Sequence, residues 1–119
     1  MDMAEVLVVD DEPDIRETVR TILESEGYRV RIASNGREAL DLMRQGSPPG
    51  LVLLDLMMPE MDGYEVLEAM RNDRALASIP VTVVSAVCDR FGPLGTPCLR
   101  KPFLLEELLA TVEKQVAPD

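Results

Sequence analysis

The sequence predicts an α/β protein with a parallel sheet covered by helices on both faces. "VLVV" (6–9) and "LVLL" (51–54) are continuous apolar runs, and "PVTVVS" (80–85) is nearly one. Short runs of this kind suit strands buried on both sides rather than an alternating, half-solvated sheet. Between them fall segments whose apolar residues recur at helical spacing, so strand and helix alternate along the chain.

The elements follow in order. After the first strand, Pro13 fits a first helical turn and Ile15, Val19, Ile22 and Leu23 share a face; Gly27 can end that helix in a left-handed turn. "RVRIA" (29–33) alternates charged and apolar residues and reads as an edge strand. Asn35 with Glu38 forms a capping-box pattern ahead of Ala39, Leu40 and Met43, with a stop at Gly46. Asp62 with Glu65 repeats it ahead of Val66, Leu67 and Met70. "CLR" (98–100) is a short fifth strand, and Leu105, Leu108, Leu109, Val112 and Val116 make a last apolar stripe. With no internal linker or low-complexity tract, residues 1–119 are expected to form one domain.

Composition narrows the function. Of 119 residues, 22 are acidic and 12 basic, a net charge of −10 that repels nucleic acid and anionic membrane alike. Direct binding to either is not expected of this chain. No stretch is apolar enough to span a bilayer, and "MDMAEV" lacks the pattern of a secretory signal, so a cytoplasmic location is expected. In a reducing compartment Cys88 and Cys98 are expected to be free thiols. Histidine is absent, which removes His-based triads and His-ligated zinc.

In open parallel sheets ligands bind beyond the carboxyl ends of the strands. Asp10 and Asp11 follow the first strand, Asp55 the third, Ser85 ends the fourth and Lys101 follows the fifth, so five polar groups converge on one rim. Carboxylates ~4 Å apart at an effective dielectric of ~20 repel by on the order of a few kcal/mol per pair. A hard divalent cation removes that cost, and Mg²⁺ favours carboxylates, waters and phosphate. Each acid taken alone could equally be a solvated strand-end residue or favour a helix N-terminus.

"VVDDEP" (8–13), "LLDLMMPEMDG" (53–63), "VVSA" (83–86) and "LRKPF" (99–103) stand in the order of the two-component response-regulator receiver domain, which the chain resembles over essentially its whole length. The resemblance implies a flavodoxin-like, doubly wound five-stranded sheet in the order 2-1-3-4-5. It implies that Asp55 accepts a phosphoryl group from a histidine kinase or phosphotransfer protein. Asp10, Asp11, Asp55 and the backbone carbonyl of Met57 are implied to hold Mg²⁺, while Ser85 hydrogen-bonds the phosphoryl group and Lys101 neutralises it. A cis bond before Pro102 is implied as well. The chain is then not an enzyme acting on other molecules, although it promotes its own phosphorylation and dephosphorylation, and it switches contacts with an effector whose identity is not legible. Asp62 and Gly63 read as cap and turn rather than ligands.

Two features depart from the family pattern. Cys98 stands where an aromatic switch residue is usual, and only 12 residues, "AVCDRFGPLGTP", separate Ser85 from Cys98. A helix of ~11 residues with two loops does not fit there, and Gly92, Pro93, Gly95 and Pro97 break what remains. The fourth helix is therefore expected to be short or missing, with Phe91 buried and the loop from Ala86 to Pro97 responding to phosphorylation. Met57 and Val87, two residues beyond Asp55 and Ser85, cannot orient water, which predicts slow self-dephosphorylation unless they simply pack. The competing reading is a receiver-like interaction module that works without phosphorylation.

Overall fold

Five strands, β1 (Glu5–Val9), β2 (Arg29–Ala33), β3 (Leu51–Asp55), β4 (Val81–Ser85) and β5 (Cys98–Arg100), pair in parallel in one sheet. The helices are α1 (Pro13–Ser25), α2 (Gly36–Met43), α3 (Gly63–Arg71) and α4 (Leu105–Gln115). The structure is a computed structural model that describes residues 4–88 and 95–117. The sheet order is β2-β1-β3-β4-β5, the doubly wound arrangement expected, with the charged β2 at one edge.

Strand alternation divides the core between the two faces. Leu7, Val9, Val52, Leu54 and Val83 pack with Ala39, Leu40 and Met43 of α2 and Val66, Leu67 and Met70 of α3. Val6, Val8, Leu51, Leu53, Val84 and Leu99 pack with Val19 and Leu23 of α1 and Leu108 and Val112 of α4. All five residues of β3 are buried, which is why its sequence shows no polar alternation before Asp55.

Local signals act largely as read. Gly27 (φ 96°) follows α1, and the Tyr28 N–H bonds the Leu23 carbonyl to close that helix. Asp62 accepts from the Glu65 N–H at 3.0 Å while Glu65 accepts from the Asp62 N–H at 3.2 Å, a complete capping box. At α2 the box is incomplete: Asn35 caps the Glu38 N–H at 2.8 Å, but the Glu38 carboxylate turns to the N–H and hydroxyl of Ser34. Leu105 does not join the stripe of α4; it is exposed at the first helical position.

The β4–β5 crossover holds no α-helix among its described residues, 86–88 and 95–97. Four α-helices among the described residues agree with a short or missing fourth family helix. Residues 89–94, including Phe91, lie outside the described residues, so the expected burial of Phe91 lies outside them too. The expectation of two free thiols is overturned: Cys88 and Cys98 form a disulfide, with their Cα atoms 6.0 Å apart. A count of two cysteines says nothing of distance; parallel pairing of β4 with β5 sets Cys98 beside Val83, near the end of the strand that leads to Cys88. Among the described residues no helix is long and apolar enough to cross a membrane.

Candidate functional site

Sheet register assembles the site. Val9 pairs with Leu54, Asp55 with Val84, and Ser85 with Arg100, so the residues at or just past the strand ends share one rim. Asp10, Asp55 and Ser85 are buried there, at 4%, 4% and 6% exposure. Carboxylate oxygens of Asp10, Asp11 and Asp55 come within 4.8 Å of one another, close enough to share a cation.

Each group is held from its own segment. Asp10 Oδ1 accepts from the Glu12 N–H at 2.9 Å, tying the acid to the entry of α1. Asp55 Oδ1 accepts from the Met57 N–H at 3.1 Å, which leaves Oδ2 facing Lys101. Gly63 closes the other side of β3: its N–H bonds the Leu56 carbonyl, and a Cβ there would sit 2.7 Å from the Asp55 carbonyl oxygen and from Leu56 Cα. Gly63 is thus more than a turn residue; its missing side chain lets α3 abut the backbone that carries Asp55. The Asp-Gly pair was the available signal, and it reads equally well as an ordinary turn.

Lys101 Nζ lies 3.0 Å from Asp10 Oδ2, 3.5 Å from Asp55 Oδ2 and 3.9 Å from Glu12 Oε1. The Lys101–Pro102 peptide bond is cis, as the resemblance implies, and the Lys101 N–H bonds the Ser85 carbonyl at 2.8 Å. Ser85 Oγ accepts from the Val87 N–H at 3.1 Å, an acceptor role that leaves its own O–H able to donate.

Burial pushes the Asp55 carboxyl up to about 6; the Met57 N–H and Lys101 lower it in part, while the charges of Asp10 and Asp11 raise it further. Burial pulls Lys101 down, but the hydrogen bond and charge of Asp10, with Asp55 and Glu12, outweigh it and leave its pKa raised. One cation therefore serves an acid cluster that it does not neutralise, and the uncompensated negative charge is what a second cation would meet.

Met57 and Val87 are 73% and 84% exposed, so neither packs into the core. Beside Lys101, a largely apolar groove of about 440 Å³ opens between Ile15 and Thr18 of α1 and Ala86, Pro102 and Phe103.

Fold and rim together define a doubly wound α/β protein with an acidic, lysine-bridged site at the carboxyl ends of its strands. Residues 6–113 match the model of the response regulator receiver domain, and the chain belongs to that family. It is 41% identical over 119 residues to the response regulator Rre1 of Synechocystis, covering 94% of this chain and 51% of that protein. It is likewise 41% identical over 123 residues to the response regulator MprA of Mycolicibacterium vanbaalenii, covering 96% and 52%. The chain thus spans about half the length of these curated relatives. Among solved structures it resembles the chemotaxis response regulator CheY4 of Vibrio cholerae (TM-score 0.86, 32% identity, 94% of this chain and 98% of that one). It also resembles the receiver domain of the hybrid histidine kinase CckA (TM-score 0.80, 30% identity, 95% and 99%). The chain is a receiver domain of two-component signal transduction.

Proposed function

We propose that Asp55 is the phosphoacceptor and that its modification switches contacts with an effector. The observation carrying this is the position of Lys101 Nζ, within 3.5 Å of Asp55 Oδ2 and bonded to Asp10, at the edge of a three-acid cluster. The donor set is all hard oxygen and excess negative charge, which fits Mg²⁺. Asp10, Asp11 and Asp55 would hold it, with the Met57 carbonyl. When bound, Mg²⁺ neutralises charge on the acids and the incoming phosphoryl oxygens.

The remaining work belongs to the chain's own side chains. The ionised Asp55 carboxylate attacks phosphorus, an O–P bond forms, and the P–N bond to the donor imidazole breaks. The imidazole nitrogen takes a proton. Phosphoryl transfer has a loose transition state, so positioning and charge neutralisation dominate. Lys101 supplies fixed positive charge beside Asp55 Oδ2, and the Ser85 O–H donates to a phosphoryl oxygen. This is self-promoted modification rather than turnover of a substrate.

The donor is a phosphohistidine on a histidine kinase or phosphotransfer protein. Supporting that, the apolar groove between α1 and Phe103 runs beside Lys101 and suits a partner helix that presents its histidine to the rim. The relatives are named as response regulators; the effector is a partner protein or a domain joined to this one. Incubation with acetyl phosphate, with and without Mg²⁺, followed by intact-mass measurement tests the proposal. We expect one added phosphoryl group that depends on Mg²⁺; its absence in both arms favours a phosphorylation-independent interaction module.

A further inference from the structure

The disulfide joins β5, which leads to Lys101, to the turn that follows Ser85 at the end of β4. Cys88 lies three residues beyond Ser85, and Cys98 lies three residues before Lys101. Between these ends, the Lys101 N–H bonds the Ser85 carbonyl at 2.8 Å, and Cys88 Sγ lies 3.6 Å from that same oxygen. Ser85 Oγ meanwhile accepts from the Val87 N–H, one residue before the crosslink. Cys98 packs against the core of the α2–α3 face, so it is the anchored end of the tether. Both cysteines are partly exposed, within reach of a small reagent.

We propose that Cys88 and Cys98 form a thiol–disulfide exchange site whose oxidised state locks the turn after Ser85 and slows phosphorylation of the rim. The inference rests on the receiver reading given above. The oxidant is a low-molecular-weight disulfide such as oxidised glutathione. A thiolate of one cysteine attacks it, forming a mixed disulfide and releasing one small thiol; the second cysteine's thiolate attacks that mixed disulfide and releases the other. One S–S bond is thereby exchanged for another. Two electrons pass to the small disulfide, which leaves as two thiols.

The coupling is mechanical. Ser85 Oγ accepts from the Val87 N–H, so any shift of that oxygen toward a phosphoryl group on Asp55 draws on the turn through Ala86 and Val87. With Cys88 linked to Cys98, the turn is held to β5 and the rearrangement is opposed. Reduction leaves the Ser85–Val87 bond as its local restraint. Linkage is reciprocal: whatever factor reduction adds to the equilibrium for phosphate-mimic binding, the mimic adds to the ease of reduction.

The test compares the wild-type chain oxidised with glutathione disulfide and reduced with dithiothreitol, each given acetyl phosphate and Mg²⁺. Alkylation and intact mass report the redox state and the phosphoryl group together. We expect the reduced form to bind beryllium fluoride about fivefold more tightly or more, the lower range of ordinary allosteric coupling, and to be phosphorylated faster. The double variant Cys88→Ser/Cys98→Ala should match the reduced rate under both conditions, and beryllium fluoride should shift the glutathione equilibrium toward the dithiol. Equal rates, or a faster oxidised form, overturn the coupling. A stable glutathione adduct in place of an internal crosslink overturns the exchange site. No phosphorylation in either state, with the crosslink verified by mass, overturns the phosphoacceptor reading of Asp55 and the coupling with it.

Discussion

Lys101 and Asp10, 91 residues apart in sequence, form a 3.0 Å hydrogen-bonded ion pair that holds the lysine nearer to Asp10 than to Asp55. A cation held by the acids would compete with Lys101 for Asp10. The two positive charges would oppose one another until a phosphoryl group brought negative charge for both.

Lys101→Met should consequently tighten Mg²⁺ binding, by roughly tenfold or more, since a unit charge ~4 Å from a divalent cation costs about 2 kcal/mol even at the dielectric of water. The same variant should lose most of its phosphorylation by acetyl phosphate. Isothermal titration checks the first and intact mass the second. Weaker Mg²⁺ binding in the variant would contradict the competition.

The Asp55 carboxyl is raised to about 6, mainly by burial. Between its ordinary value and about 6 the folded chain holds a proton that the unfolded chain has lost, so this group's contribution to stability falls as pH rises through that window. Asp55→Asn should therefore stabilise the Mg²⁺-free protein at pH 7 by about 1–3 kcal/mol. The gain should vanish near pH 4, where the acid is already neutral, and shrink when Mg²⁺ is added. Denaturant melts at the two pH values read this directly.

Met57 stands exposed two residues beyond Asp55 and offers no side-chain hydrogen bond to a water. Met57→Asn should speed loss of the phosphoryl group by roughly three- to tenfold, the worth of one hydrogen bond realised in the transition state. Decay followed by mass after removal of the donor is the check, and an unchanged rate would leave water orientation out of the account.

Thr82, wholly buried on β4, has a hydroxyl with no hydrogen-bond partner among the described residues. By alternation it shares the face of Val84, against the α1–α4 side of the core. Thr82→Val removes the unpaired oxygen at nearly equal volume and should stabilise the fold by about 1 kcal/mol. A destabilised variant would show that the hydroxyl is satisfied in solution.

The central strands were legible because a sheet covered on both faces leaves no polar alternation there, as in Leu51–Leu54. The acids were legible because each ends such a run. What sequence concealed depends on distances across the fold. Gly63 looks like any turn glycine until β3 is seen against α3. Leu105 has stripe spacing, yet at the first position of α4 its side chain faces solvent. Arg31 alternates as if solvated, but it binds Glu5 at 2.8 Å and the Leu42 carbonyl at the end of α2. Cys88 and Cys98 meet only because β4 and β5 are adjacent.

Borohydride trapping shows directly whether Asp55 itself carries the phosphoryl group. Wild-type protein treated with acetyl phosphate and Mg²⁺, then with borohydride, converts an aspartyl phosphate to homoserine that peptide mass mapping can locate. Homoserine is expected at position 55, and no added phosphoryl group in Asp55→Ala. Homoserine at another aspartate, or equal labelling of Asp55→Ala, would contradict it.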